Sequence, residues 1–114
     1  MSNKLVKSNK GNSNSLTAGG VNDILRKLLN ITGEKYTEKD YEEVVSEVIS
    51  GFEKSKIVEI VLNTGEIMIF TLLSCGILGN VLTVGDQQVA EMRLALIGEM
   101  ISEHFGFTFM TYKL

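Results

Sequence analysis

Residues 67–85 read IMIFTLLSCGILGNVLTVG, a run of 19 residues that contains no charged side chain. A helix that crosses a membrane needs roughly 20 mostly apolar residues, so the length of this run permits such a helix. Ser74, Gly76, Gly79 and Asn80 interrupt the run, however, and residues of these types favour turns. The chain has no Trp, and no Lys or Arg lies close to either end of the run, so the usual anchors of a membrane span are missing. We therefore interpret the run as two short strands of a buried sheet.

The composition indicates one folded, mildly acidic domain. The 114 residues leave room for a single core, and 44% of them are hydrophobic, which is too many for a disordered chain. The formal net charge is −3, but Lys4, Lys7 and Lys10 all lie within residues 1–20, which contain no acid. The rest of the chain therefore carries 8 bases and 14 acids, a formal charge of −6.

Residues 1–20 are rich in Ser, Asn, Gly and Lys and offer few apolar side chains to a core. We expect them to form a flexible polar tail, followed by a single domain over residues 21–114. The one cysteine, Cys75, cannot form an intramolecular disulfide, and the N-terminal residues lack the apolar stretch of a secretory signal. These features favour a cytoplasmic protein that is not attached to a membrane.

Two amphipathic helices are predicted before residue 56. The first has apolar residues at the spacing of a helical stripe, and Gly33 is placed to end it. Thr37 can cap the second helix together with Asp40, while Tyr36 and Tyr41 occupy the positions of a hydrophobic staple. The apolar stripes consist of Val21, Ile24, Leu25, Leu28 and Leu29 in the first helix, and of Tyr41, Val44, Val45, Val48, Ile49 and Phe52 in the second.

The second half of the chain predicts a small sheet. Ile57–Leu62 and Ile67–Leu73 are rich in β-branched and large apolar residues, and residues 63–66, Asn-Thr-Gly-Glu, have the composition of a hairpin turn. Shorter apolar segments predict a third strand at Val81–Val84 and a last strand at Phe107–Leu114. Because the second strand is apolar on both faces, we expect both faces of the sheet to be covered.

A third helix is predicted from Asp86 to about Phe105, and Gly106 is placed to end it. The order of elements is then α-α-β-β-β-α-β. The fold class that we predict is α+β: a small antiparallel sheet, made of a β-meander and the C-terminal strand, packed by two or three helices.

Arg93 lies in the middle of the apolar arc of the third helix, an arc that also contains Ile97 and Met100. His104 lies on the same stripe, about 16 Å further along the helix axis. Neither Arg93 nor His104 has a carboxylate three or four residues away, so an intrahelical ion pair cannot satisfy either of them. A buried guanidinium needs a partner, which can be an acid elsewhere in the fold, an acid on a second subunit or a bound anion. These four residues are the candidate ligand or interface residues.

No pattern typical of a catalytic or metal site occurs in the sequence. Cys75 and His104 would be the only thiol and imidazole of a nucleophile and base pair, and no further residue is placed to orient the imidazole. One Cys and one His without a recognisable spacing do not predict a zinc site. Residues 76–79, Gly-Ile-Leu-Gly, match the GXXG loop of nucleic-acid-binding KH domains in form, but the two middle residues are apolar, so we interpret them as a turn. We therefore expect no catalytic residue, no metal, no cofactor and no direct binding of nucleic acid.

The apolar excess on the second strand and the third helix predicts an interface. We expect a small non-enzymatic regulatory protein that binds an unidentified protein partner and assembles as a homo-oligomer, most simply a homodimer. Two alternatives remain. Glu42, Glu43, Glu47 and Glu53 on the second helix would form an acidic surface that mimics nucleic-acid phosphates, as an inhibitor of the mobile-element type does toward a nucleic-acid-binding protein. Alternatively, Arg93 would bind a small anion or a nucleotide.

Overall fold

The computed structural model describes residues 23–28, 30 and 37–112. Helix α1 covers residues 23–28, and residue 30 is also helical. The other elements are α2 (Glu38–Gly51), β1 (Ile57–Val61), β2 (Ile67–Leu72), β3 (Gly76–Leu82), α3 (Gln87–Phe105) and β4 (Thr108–Thr111). The fold class is α+β, with the predicted order of elements. The proposed polar tail at residues 1–20, Val21, the side chain of Leu29, the helix stop at Gly33 and the staple residue Tyr36 lie outside the described residues.

Local capping explains where α2 and α3 begin. The Thr37 hydroxyl accepts a hydrogen bond from the backbone N–H of Asp40 at 3.3 Å, and the Asp40 carboxylate accepts one from the backbone N–H of Thr37 at 2.7 Å, which confirms the predicted capping box. The Asp86 carboxylate accepts hydrogen bonds from the backbone N–H groups of the first turn of α3. Gly106 ends α3 in the left-handed conformation, with φ 73°.

The uncharged run at residues 67–85 forms β2 and β3, as the sequence predicted. β1 pairs antiparallel with β2 through the turn at residues 63–66, where Gly65 has φ 96° and its backbone N–H donates to the Leu62 carbonyl oxygen. β2 pairs antiparallel with β3. Among the described residues, no helix has the length and apolarity that a membrane span requires.

The predicted bounds of the third strand were wrong. β3 starts at Gly76 and ends at Leu82, so residues 76–79 lie in a strand and do not form a turn. A Cβ atom on Gly79 would lie 2.8 Å from the Phe109 ring, so glycine is needed here because a neighbouring side chain packs directly on the strand backbone. The bounds of β1, β2, α2 and α3 agree with the prediction to within one residue, whereas β4 ends at Thr111, and the predicted ends of the first helix lie outside the described residues.

The sheet is mixed and not wholly antiparallel, because β4 pairs parallel with β3. The strand order is β1-β2-β3-β4. Helix α3 connects β3 to β4 and returns the chain to the end of the sheet where β3 began, so that β4 runs in the same direction as β3. The expectation of an antiparallel C-terminal strand failed because a crossover helix of this length imposes a parallel pairing when the two strands are neighbours.

The helices lie on one face of the sheet, which we call the covered face. α3 packs against β3 and β4, and α2 packs against β1 and against α3. The core between these layers contains Leu28, Tyr41, Val45, Val48, Phe52, Ile60, Leu62, Met68, Phe70, Ile77, Val81, Val89, Ala90, Leu94, Leu96, Ile97 and Ile101. The sequence predicts that both faces are covered; within the described residues, the helices pack against one face. Side chains of the other face, such as Ile67, Ile69 and Leu78, do not pack against this core.

Candidate interaction surfaces

Arg93 is buried and forms an ion pair within the fold. Its side chain and that of Glu66 are each 6% exposed, and the Arg93 guanidinium donates a hydrogen bond of 2.5 Å to the Glu66 carboxylate. The second carboxylate oxygen of Glu66 accepts a hydrogen bond from the Thr64 hydroxyl at 2.6 Å. Of the three kinds of partner that the sequence left open, an acid elsewhere in the fold is therefore present.

Glu66 is the one residue of this pair that the sequence did not identify. It belongs to the predicted hairpin turn, and its backbone carbonyl accepts a hydrogen bond from the Leu62 N–H at 2.9 Å, which places its side chain at the start of β2. The only signal in the sequence is its position as the last charge before the uncharged run. That signal does not assign a partner, because Glu66 and Arg93 are 27 residues apart and meet only when α3 packs on the sheet.

A cleft of about 460 Å³ lies beside the ion pair, at the first turn of α3. The charged residues that line it are Arg93, Glu66 and Asp86, so the lining carries one positive and two negative formal charges. Such a lining attracts an anion less than an isolated guanidinium would, because Glu66 already neutralises Arg93. This geometry lends little support to the alternative of a small-anion or nucleotide site at Arg93.

The other candidate residues on α3 do not converge on Arg93. Ile97 is fully buried in the core and Met100 is partly buried against it, so both of them pack in the interior of the fold. His104 is exposed in the last turn of α3, where a basic side chain faces the negative end of the helix dipole. The four residues therefore do not form one site.

The acidic face of α2 points to solvent. Glu42, Glu43 and Glu47 are exposed along the helix, and Glu53 is exposed in the turn that follows it. α2 carries five acids and one base, Lys39, a formal charge of −4. A groove of about 320 Å³ between α2 and β1 is lined by three of its acids, Asp40, Glu43 and Glu47. These acids thus meet one condition for an acidic partner surface, which is exposure to solvent.

Two carboxyl groups of the helices have altered proton affinities. Hydrogen bonds from the backbone and side chain of Thr37 lower the pKa of Asp40 below its usual value, which is the expected effect of a capping box on its acid. On α3, burial, with a further contribution from the nearby charge of Glu103, raises the pKa of Glu99 to about 7. Glu99 is therefore partly protonated at neutral pH.

A further candidate surface is the face of the sheet opposite the helices, which we call the open face. Its side chains follow from the strand register, because residues directly opposite each other in paired strands point to the same side. They form three rows across the sheet: Val61, Ile67 and Leu82; Glu59, Ile69 and Asn80; and Ile57, Thr71, Leu78 and Met110.

Four large apolar side chains of the open face are strongly exposed. Val61 is 63% exposed, Ile57 60%, Leu82 43% and Met110 42%. Glu59 is the only charged residue in the three rows, and it lies on the edge strand β1. Exposed apolar side chains gathered on one face of a sheet are a feature of protein interfaces.

Asn80 lies at the centre of the open face, opposite Ile69 on β2. It is only 6% exposed, and its amide nitrogen has no hydrogen-bond acceptor among the described residues. A buried amide donor without an acceptor costs roughly 1–3 kcal/mol. The centre of this face therefore contains a hydrogen-bond donor, the Asn80 amide, that is not satisfied by the described part of the chain.

Cys75 is exposed in the turn between β2 and β3. Within residues 23–28, 30 and 37–112, His, Cys, Asp and Glu side chains do not gather in groups of three that could hold a metal ion.

Comparisons of this chain with protein-family models, with curated proteins and with solved structures find no match. The geometry of its surfaces is therefore the basis for a functional proposal.

Proposed function

We propose that this chain is a small cytoplasmic, non-enzymatic regulatory protein that acts by binding other proteins and works as a homo-oligomer. The observation that carries the proposal is the open face of the sheet, where large apolar side chains that include Ile57 and Val61 are exposed by 60% or more. Transfer of such side chains from water into an interface is favourable by about 25 cal/mol for each square ångström of apolar surface.

The distribution of charge supports the same proposal. The exposed acids of α2 belong to the helical layer on the covered face, whereas Glu59 is the only charged residue in the three rows of the open face. Association through the open face therefore brings together two surfaces of low charge, and the acidic face remains in solvent where the repulsion between copies is screened.

Sedimentation velocity over a range of concentrations tests homo-oligomerisation. We expect a species of at least twice 12.6 kDa to form at micromolar concentration and to dissociate on dilution. A mass of one chain at every concentration up to several hundred micromolar would exclude self-association and, with it, the homo-oligomer in this proposal.

A second candidate function is inhibition of a basic nucleic-acid-binding protein by the acidic face. The observation that favours it is the exposure of Glu42, Glu43 and Glu47 on one side of α2, since a surface of one charge sign attracts an oppositely charged partner.

The inhibitor candidate is tested by competition against DNA for a basic DNA-binding domain. We expect the wild-type chain to displace DNA at low salt, and a Glu43→Gln, Glu47→Gln variant to lose this effect. A Glu91→Gln, Glu103→Gln variant removes the same number of carboxyl groups from α3 and is the matched control. Equal displacement by the two variants would show that the acidic face has no specific role.

A further inference from the structure

We propose that two copies of this chain associate by stacking their sheets face to face through the open face, with the central row of Ile69 and Asn80 next to the two-fold axis. The inference rests on the proposed homo-oligomer and specifies which surface forms it. A symmetric dimer uses the same patch on both copies, so this patch must be complementary to itself.

The size of the open face fits a dimer that forms reversibly. Four strands about 4.8 Å apart, with about six residues each at about 3.3 Å per residue, present a face of roughly 19 by 20 Å, or about 400 Å². Two such faces, with the relief of their side chains and the adjoining loops, bury about 1,000 Å² in total, which is close to the lower limit for a specific interface. We therefore expect an equilibrium between monomer and dimer and not an obligate dimer.

The chemistry of the open face favours a second copy as its occupant. Seven of the ten side chains in the three rows are apolar and Glu59 is the only charged one, so a mostly apolar partner fits this face, and the open face of another copy has the same composition over the same area. Residues 1–20 are a poorer occupant, because in this segment only Met1, Leu5, Val6, Leu16 and Ala18 are apolar, among Ser, Asn, Gly and Lys. The acidic face, the surface where two copies repel each other, stays on the outside of the stack.

Asn80 places the axis near the centre of the face. A primary amide carries both a donor and an acceptor, so two amides that meet across a two-fold axis can form two reciprocal hydrogen bonds. The amide nitrogen of Asn80 has no acceptor within its own described chain, so an acceptor supplied by the facing copy would satisfy it. Packed sheets lie about 10 Å apart, a separation that short side chains from both sides can bridge.

A charge at the rim of the open face tests the location of the interface. Leu82→Lys introduces an ammonium group at a side chain that is already 43% exposed in the monomer, so the fold should tolerate it. In the stack the same charge is desolvated without a partner, and we expect the dissociation constant from sedimentation to rise by at least about tenfold. Ser46→Lys adds the same charge on the exposed side of α2 and should change that constant by less than about twofold. Equal constants for Leu82→Lys and the wild type would overturn the inference.

Chemical cross-linking tests the position of the axis. In a Cys75→Ser background, Ile69→Cys places one thiol in the central row of each copy, and Ser46→Cys places one on the exposed side of α2. A short bismaleimide should join two Ile69→Cys chains and leave Ser46→Cys chains mostly single, with both variants checked for a wild-type circular dichroism spectrum.

The failures of the two proposals are distinguishable. A dimer that survives Leu82→Lys, or that is cross-linked through residue 46 and not through residue 69, contradicts face-to-face stacking. The homo-oligomer then stands and uses another interface, such as pairing of the β1 or β4 edges. A monomer at all concentrations contradicts the homo-oligomer and the stacking together.

Discussion

Removal of either partner of the Arg93–Glu66 ion pair should destabilise the fold strongly. Both side chains are 6% exposed, and the guanidinium and the carboxylate are 2.5 Å apart. Loss of one partner of a buried pair typically costs about 3–5 kcal/mol, because the remaining charge has lost its compensation. The adjacent cleft admits water to this pair, and Thr64 still donates to Glu66 when Arg93 is replaced, so we expect about 3 kcal/mol for Arg93→Met and for Glu66→Leu.

The double variant gives the sharper result. Arg93→Met with Glu66→Leu replaces the ion pair by two apolar side chains of similar volume, which is often neutral or stabilising relative to the pair. We therefore expect the double variant to be more stable than either single variant, with a coupling energy of at least about 2 kcal/mol. A loss of about 3 kcal/mol in a domain of this size lowers Tm by roughly 12 to 18 °C.

Urea unfolding followed by circular dichroism measures the four stabilities of this cycle. A cost below about 1 kcal/mol for both single variants, or additive costs in the double variant, would show that the pair is solvated and not a buried unit.

Sedimentation of Arg93→Met separates a structural role from an assembly role. Because Arg93 lies on the helical side of the sheet, the folded variant should associate as the wild type does, and a folded variant that is monomeric would refute this placement.

Three further measurements test the packing and electrostatics of the fold. Phe70→Ala should lower the free energy of unfolding in urea by about 3–5 kcal/mol, because Phe70 is fully buried. Ile69→Ala should lower it by less than about 1.5 kcal/mol, because Ile69 points to the open face. Equal losses would contradict the assignment of the two faces. Gly98→Ala should destabilise the fold by at least about 2 kcal/mol, since its Cβ would lie 2.2 Å from the Phe109 ring. If this contact is the cause, adding Phe109→Leu to the same chain should recover part of the lost stability. The raised pKa of Glu99 means that the folded chain binds this proton more tightly than the unfolded chain, so the free energy of unfolding should fall as the pH rises from about 4.5 to about 7. Glu99→Gln should flatten this dependence on pH and, after allowance for partial exposure, raise the free energy of unfolding by about 1–2 kcal/mol above pH 7. An unchanged dependence on pH in the variant would contradict the raised pKa.

The candidate sites differ in how far the sequence could predict them. The exposed acids of α2 followed from helical periodicity, because the apolar stripe fixes which side of a helix faces the core. The need of Arg93 for a partner was also visible, but its partner Glu66 was not. Ile97 and Met100 shared a stripe with Arg93 in the sequence, yet they lie in or against the core, because α3 is packed on most of its circumference.

The apolar second strand shows the same limit. Alternation along β2 indicated that both of its faces are apolar, and it did not indicate that the helices would leave one face open. Asn80 and Gly79 had the composition of a turn, because the local preference of these residue types is for turns. Packing of Phe109 against Gly79 and pairing of Asn80 with Ile69 outweigh that preference in the fold.

The sequence by itself determined the fold class, the order of the elements, the start of α2 and both ends of α3. These features depend on hydrogen bonds between residues that are at most four positions apart, such as those of Thr37 and Asp86, and on the period of apolar side chains. Only the tertiary structure decided the parallel pairing of β4, the partner of Arg93 and the face of the sheet against which the described helices pack. Each of these depends on which elements meet in space, and that is set by the packing free energy of the whole core, which no local window of the sequence contains.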